Sequence, residues 1–235
     1  MTIIPSHLLA AYAVLAGPLL GYFAYQKARK KIASGARHAK VGLYREIVAE
    51  QVITTGAILL LWRSGLSSSS LGLIPPRSWV WTMAALSVIV VALAWSSLRL
   101  RPRAEKIRAK LKDSLGTLLP DSREERFWFG AVSIGAGISE ELAFRGFLLY
   151  YLSLYLPWLN TLERVLLVSI SFGVAHIYQG WKGAVGAGTM GLILAVLYLA
   201  SGSLLLPVLV HAAMDWRALL IFPPPASSAM VESHA

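Results

Sequence analysis

The chain has 235 residues, 56% hydrophobic and 14% charged, with a mean hydropathy of +0.61 and a formal net charge of +10. Soluble domains carry roughly 25% charged residues, so this composition excludes an ordinary soluble globule and points to an all-α, polytopic transmembrane bundle. The basic residues cluster in short loops between apolar runs, a pattern of topology and anionic-lipid contact that excludes a nucleic-acid partner; the lack of cysteine excludes disulfides, thiolate metal sites and a cysteine nucleophile.

The first apolar run, Ile3 to Tyr25, exceeds the roughly 20 residues a crossing needs. It has no basic leader, and Lys27, Arg29, Lys30 and Lys31 follow it. That order predicts an anchor rather than a cleaved signal peptide, with the N-terminus outside. Arg37, Lys40 and Arg45 extend the basic loop. A short second span is expected over Ile47 to Trp62. It begins with Glu46 and Glu50, which are one helical turn apart, share a face and are expected at the interface. Arg63 to Arg77 reads as an outer Ser/Gly/Pro loop, and Trp79 to Leu98 as the third span.

Arg99 to Arg126 forms the second basic loop. Ile107, Leu111, Leu115 and Leu118 recur in it at helical spacing, which predicts an amphipathic helix lying on an anionic leaflet. Ser122-Arg-Glu-Glu125 has the form of a capping box. It opens a long fourth span, Phe127 to Leu156, which Pro157 closes. The fifth span runs from Leu162 to Tyr178, followed by a turn at Gln179 to Gly183. The sixth covers Ala184 to Ala200, and Gly183, Ala187 and Gly191 would let a neighbouring helix approach closely. Ser201 to Ser203 turns into the seventh, Leu204 to Phe222. Residues 223–235 read as a disordered tail. Seven spans starting outside place both basic loops and the C-terminus in the cytoplasm. Trp62, Trp79, Trp158 and Trp181 are expected as interface anchors.

Four ionisable residues interrupt the apolar C-terminal half: Glu140, Glu141, His176 and His211. Charge at bilayer depth is costly and persists where it faces a bundle interior or a wet cavity. A glutamate with two histidines can activate water, so the expectation is a hydrolase buried in the membrane. Glu141 and Arg145 are four apart and share a helix face, as an ion pair would. Glu140 points away from Arg145 and is left to face a cavity as a general base. His176 lies near the end of its helix, one turn after Phe172. His211 and Asp215 share a face, where a carboxylate could fix the imidazole tautomer. Purely structural ion pairing of the glutamates and an intrahelical His211–Asp215 pair are the plain alternatives. There is no His-Glu-x-x-His, no Gly-x-Ser-x-Gly and no paired intramembrane aspartate. A membrane transporter or regulatory scaffold with a buried Glu/His relay is the rival function, although no inverted repeat is visible.

Glu140-Glu141-x-x-x-Arg145, then Phe172-x-x-x-His176, then His211-x-x-x-Asp215, on successive apolar helices, resembles the CPBP family. These are the CaaX-protease and bacteriocin-processing intramembrane endopeptidases, also called the Abi family. The stretch from Tyr198 to His211 is similar to that family's approach to its third motif, and the resemblance covers about Phe127 to Trp216. It implies peptide-bond hydrolysis of a membrane-associated protein or peptide. Glu140 would activate the water. His176 would help hold that water or a metal, and His211 and Asp215 would stabilise the oxyanion or complete a metal site. Glu141 and Arg145 would support the site. Glu140, His176 and His211 would be the ligands of any metal, and the cofactor stays open between zinc and none. Some members carry Asn at the position of Asp215. An ionised Asp can only accept, which favours Asp215 as the group orienting His211. The chain then divides into N-terminal spans with basic loops (1–126), a catalytic core (127–222) and the tail. The expected setting is a bacterial inner membrane, with anionic lipid at the basic loops.

Overall fold

In hydrocarbon a lone segment can satisfy its backbone only as a helix, and apolar runs of this length adopt that form throughout. A computed structural model describes residues 3–36, 38–111 and 118–223, and among them there is no β-strand. Helices α1 (Ile3–Ala11) and α2 (Gly17–Ala33) are joined by a π-helical turn, Tyr12–Ala16, into one rod. α3 is Ala39–Arg63. α4 (Trp79–Leu100) continues through a tight turn at Arg101–Arg103 into α5 (Ala104–Leu111). α6 (Arg123–Glu141), a π-helical segment (Leu142–Leu148) and α7 (Leu149–Tyr155) form a second composite rod. α8 (Thr161–Ala175), α9 (Trp181–Ser201) and α10 (Leu205–Ile221) complete the bundle. Seven rods therefore stand where seven spans are predicted.

Among the described residues three stretches are long and apolar enough to cross a membrane: Ile4–Ala33, Trp79–Leu111 and Trp181–Ser201. Large apolar side chains face outward from many helices, among them Phe23, Ile53, Val88, Val91 and Ile170. Such a surface suits lipid rather than water. The interior cluster gathers Ile58, Leu71, Phe144, Phe147, Val168 and Phe172. α6 lies between α3 and α10, and α8 packs along α9.

The boundaries differ from the sequence reading in instructive ways. α2 runs on to Ala33, so Lys27, Arg29, Lys30 and Lys31 are helical rather than in a loop. Lys and Arg are good helix formers, and cations suit a helix C-terminus. The helix stops where Gly35 takes a φ of 74° and Ala36 N–H donates back to the Lys31 carbonyl at 3.2 Å. α3 likewise starts at Ala39, so Arg45, Glu46 and Glu50 are all helical. Ser122 caps α6 by accepting from Glu125 N–H at 3.1 Å. The Glu125 carboxylate accepts from Asp121 N–H at 2.7 Å, so the capping box closes one residue upstream of Ser122. A complete capping box does occur at Asn160 and Glu163, opening α8.

The expected lipid-facing amphipathic helix is only partly present. α5 ends at Leu111, and Leu115 lies outside the described residues, as do residues 224–235 of the tail. Ile107 and Leu111 pack against Ala104, Leu119, Ile221 and Phe222 rather than turning away from the protein. Their apolar stripe is consumed by the chain's own C-terminal helix. The small-residue face of α9 is also shifted. A Cβ on Gly173 of α8 would lie 2.8 Å from the Ala184 carbonyl and 3.2 Å from Gly188 Cα. A Cβ on Gly183 would meet only the nearby Gln179 side chain. A stripe stepping 4 then 3 residues stays on one helix face, whereas steps of 4 and 4 drift around it.

The tightest helix crossing near the centre is that of α6 on α10. A Cβ at Gly137 would stand 2.8 Å from the Val208 carbonyl oxygen and 2.9 Å from Ala212 Cβ. Gly137→Ala is therefore expected to lower stability by about 1–3 kcal/mol through overpacking. Gly186→Ala, where a Cβ meets nothing within 4 Å, should be neutral or stabilising. Thermal unfolding in detergent distinguishes the two, and equal shifts would contradict this packing account.

Candidate active site

Residues from four helical segments converge beside the α6–α10 crossing. Glu140 and Glu141 are the last two residues of α6, and the backbone widens into its π-helical segment immediately after them. Single-turn π distortions of this kind recur at functional sites. Consecutive residues on a helix point about 100° apart, so the two carboxylates part company at once. Glu141 turns into the protein and is fully buried, whereas the Glu140 side chain keeps 28% of its exposure.

Glu141 Oε1 accepts from Arg145 Nη1 at 2.6 Å and from His211 Nδ1 at 2.7 Å. An ionised carboxylate can only accept, so the His211 proton resides on Nδ1, and its Nε2 lies on the side of Glu140, 3.9 Å from Oε2. Arg145, also fully buried, donates through Nη2 to the Gly191 carbonyl at 2.9 Å. Its guanidinium lies 4.6 Å from the Phe172 ring centroid. Gly191 is small because Arg145 passes there: a Cβ would lie 3.3 Å from Arg145 Nη2.

His176 caps the C-terminus of α8. Its Nδ1–H donates to the Phe172 carbonyl at 2.8 Å, one of the last-turn carbonyls that a helix end leaves unpaired. The ring lies against that of Phe172, centroids 4.6 Å apart. Its Nε2 is thereby also an acceptor facing the cavity. The buried Oε2 of Glu140 has no hydrogen-bond partner. It lies 3.8 Å from His176 Nε2 and 3.9 Å from His211 Nε2. Those separations exceed direct hydrogen bonds, which run about 2.7–3.2 Å, and suit a water bridging the groups.

Asp215 stands differently from the expectation. Its Oδ2 is 3.8 Å from His211 Nε2, on the far ring nitrogen and beyond hydrogen-bonding distance. The carboxylate that orients His211 is Glu141, not Asp215. The spacing of 211 and 215 puts the two on one face, but at partly exposed Asp215 a neighbouring helix supplies no closing contact, whereas buried Glu141 reaches the ring across the α6–α10 crossing.

Glu140 and His176 form part of the wall of a cavity of about 320 Å³ between α1, α2, α3 and α6. Most of its lining is apolar, including Phe144 and Phe147. Tyr12, Ala13 and Ala143 also line it, so both π-helical segments border it. Three further residues join the site that the motifs do not assign to it. Tyr178 follows His176 into the wall. Glu50 accepts from Tyr12 Oη at 2.6 Å and from Thr54 Oγ1 at 3.0 Å. With Glu46 it faces the cavity rather than merely marking an interface. The Glu50–Thr54 step of four was a visible signal; the Tyr12 contact, 38 residues away, was not.

The donor set does not fit a metal as it stands. Among the described residues no group of three His, Asp or Glu side chains is spaced to hold an ion. Glu140, His176 and His211 do not form such a group, and no chemistry is routed through a metal.

The buried pair carries a stability prediction. Removing one partner of a buried ion pair leaves an uncompensated charge and costs about 3–5 kcal/mol. Arg145→Met alone should cost that much, and the Arg145→Met/Glu141→Leu double variant clearly less. A double-mutant cycle by thermal unfolding checks this, and simple additivity would sink it.

Residues 122–217 match the family model described as Type II CAAX prenyl endopeptidase Rce1-like. No curated protein and no solved structure matches the chain. The matched segment is less than half of the chain, but it holds Glu140, Glu141, Arg145, His176, His211 and Asp215 together. Those residues are thus similar to an intramembrane CAAX protease family, and together with the apolar helices Ile4–Ala33, Trp79–Leu111 and Trp181–Ser201, each long enough to cross a bilayer, the similarity makes the chain an integral membrane protein.

Proposed function

We propose that the chain is an intramembrane endopeptidase that hydrolyses a peptide bond of a membrane-associated protein or peptide, using water activated by Glu140. The observation that carries this reading is the approach of Glu140 Oε2 to within 3.8 Å and 3.9 Å of two imidazole Nε2 atoms at the wall of an apolar cavity. Water between Glu140 and His176 meets two acceptors. Its two protons point at Oε2 and Nε2, which leaves a lone pair for the scissile carbonyl.

The chemistry then balances without a cofactor. Glu140 takes one proton from the water as the oxygen bonds to the carbonyl carbon. The carbonyl π electrons move to the oxygen, and this oxyanion accepts from His211 Nε2–H. That role requires His211 to carry a second proton, since Glu141 already holds the one on Nδ1. Arg145 offsets the charge of Glu141, and Asp215, 3.8 Å from Nε2, lies close enough to favour the imidazolium by charge alone. Collapse re-forms the carbonyl and breaks the C–N bond. The proton held by Glu140 passes to the departing amine nitrogen. An apolar cavity strengthens each of these interactions by excluding bulk water.

The basic segments around Lys27–Lys31 and Arg99–Arg108 support a cytoplasmic location for those helix ends and a membrane with anionic lipid. We place the chain in a bacterial inner membrane, with the N-terminus outside.

Glu140→Gln should abolish cleavage of a reconstituted peptide substrate while thermal unfolding stays near that of the parent. Cleavage by this variant at the parent rate would end the proposal. Losing one oxyanion donor costs about 100- to 1000-fold in kcat, so His211→Ala should fall by at least that much. Asp215→Asn should retain substantial activity, because the ring is oriented by Glu141; a folded but inactive Asn variant would overturn that assignment.

A further inference from the structure

The catalytic cavity does not end at Glu140. A second cleft, of about 380 Å³, adjoins it between α2 and α3 and shares Ala24, Leu43 and Glu46 with it. On α2 the shared wall is one stripe. Gly17, Gly21 and Ala24 border the catalytic cavity, and Lys27, Ala28 and Lys31 carry on from Ala24 in steps of three and four. On α3 the stripe runs from Gly42 through Leu43 and Glu46 to Glu50 and Thr54. Together they outline a groove that leads from the site toward the C-terminal end of α2.

Charge along this groove is ordered. Near the site stand Glu50 and Glu46, acceptors that suit backbone N–H groups. Farther out stand Lys27 and Lys31, both exposed. Neither lysine forms an ion pair among the described residues, and the imidazole in the cleft wall, His38, lies 3.8 Å from Glu124. Distance also fits. The Tyr25 ring packs on Tyr178 at 5.2 Å, which sets the Ala24 turn level with the His176–Tyr178 turn. Lys27 and Lys31 lie three and seven residues beyond Ala24, about 4.5 and 10 Å along the helix axis. An extended peptide advances about 3.3 Å per residue, so a few residues beyond the scissile bond reach the lysines.

We propose that Lys27 and Lys31 are specificity-determining residues that hold the C-terminal carboxylate of the peptide substrate. The inference rests on the protease reading above. It explains why the groove is acidic near the cleavage point and basic beyond it: an extended C-terminal segment offers N–H donors along its length and an anion at its end.

The test measures binding separately from cleavage. Fluorescence anisotropy of one labelled apolar peptide, made with a C-terminal carboxylate and with a C-terminal amide, is recorded on full-length protein carrying Glu140→Gln. Nanodiscs of purely zwitterionic and of part-anionic lipid are compared. The carboxylate form should bind roughly tenfold tighter than the amide. Lys27→Gln/Lys31→Gln should bring that ratio to near one, and Lys27→Arg/Lys31→Arg should keep it well above one. Equal binding of the two peptides to the parent would overturn the proposal. So would a ratio that the Gln pair leaves intact, or lysine effects confined to anionic nanodiscs, which would assign the lysines to lipid phosphate. Absence of cleavage by the protein without Glu140→Gln, with the binding ratio preserved, would defeat the protease reading and leave the carboxylate subsite standing.

Discussion

The arrangement depends on one buried carboxylate. Glu141 takes hydrogen bonds from Arg145 and His211 on a single oxygen, with no exposed surface of its own or of Arg145. Desolvating two charges costs several kcal/mol per ion, which is recovered only when geometry is good and further partners are present. Arg145 has those partners in the Gly191 carbonyl and the Phe172 face. The pair therefore ties α6, α8, α9 and α10 to one another, and His211 inherits its orientation from that tie. Glu140, its neighbour in sequence, stays out of the network and keeps an unpartnered oxygen toward the cavity.

Backbone shape makes that division possible. α6 can approach α10 closely because Gly137 carries no side chain where the Val208 carbonyl passes. The helix then widens over Leu142–Leu148, all of them buried. Along this segment Arg145 turns back to Glu141, while Ala143, Phe144 and Phe147 line the cavity. The opposite wall is built the same way, from the π-helical turn at Tyr12–Ala16. Two departures from regular helix thus flank the cavity next to Glu140. α9 contributes indirectly: its small residues let it lie on α8 at Gly173, and that packing holds Phe172 and His176 against the site.

Much of the fold was legible because its signals are local. Runs of apolar residues, broken by Pro157, Gly180 and Ser201 to Ser203, mark seven rods with few errors of existence. Boundary errors arose where basic residues extend a helix past its apolar run, as at Lys27 to Lys31 and at Arg45. The spacing of Ile107 and Leu111 predicts a lipid-facing stripe, but apolar residues do not name their partner, and Ile221 and Phe222 cover them. Within the site, Glu141 with Arg145 and the separate direction of Glu140 follow from helical geometry alone. The four-residue step from His211 to Asp215 carries the same kind of signal, yet Glu141 from another helix makes the shorter contact with the ring.

Hydrophobic length and residue spacing act within one segment, and they are enough to fix the class of molecule, its run of helical rods and the residue types available for chemistry. Contacts between segments set the rest: which carboxylate orients His211, that His176 is held by a helix-end carbonyl, and that Glu46, Glu50, Lys27 and Lys31 line a groove leading to Glu140. Those facts depend on how helices cross and which faces meet. Helix crossing is set by packing between segments far apart in the chain, and periodicity within a segment carries no record of it.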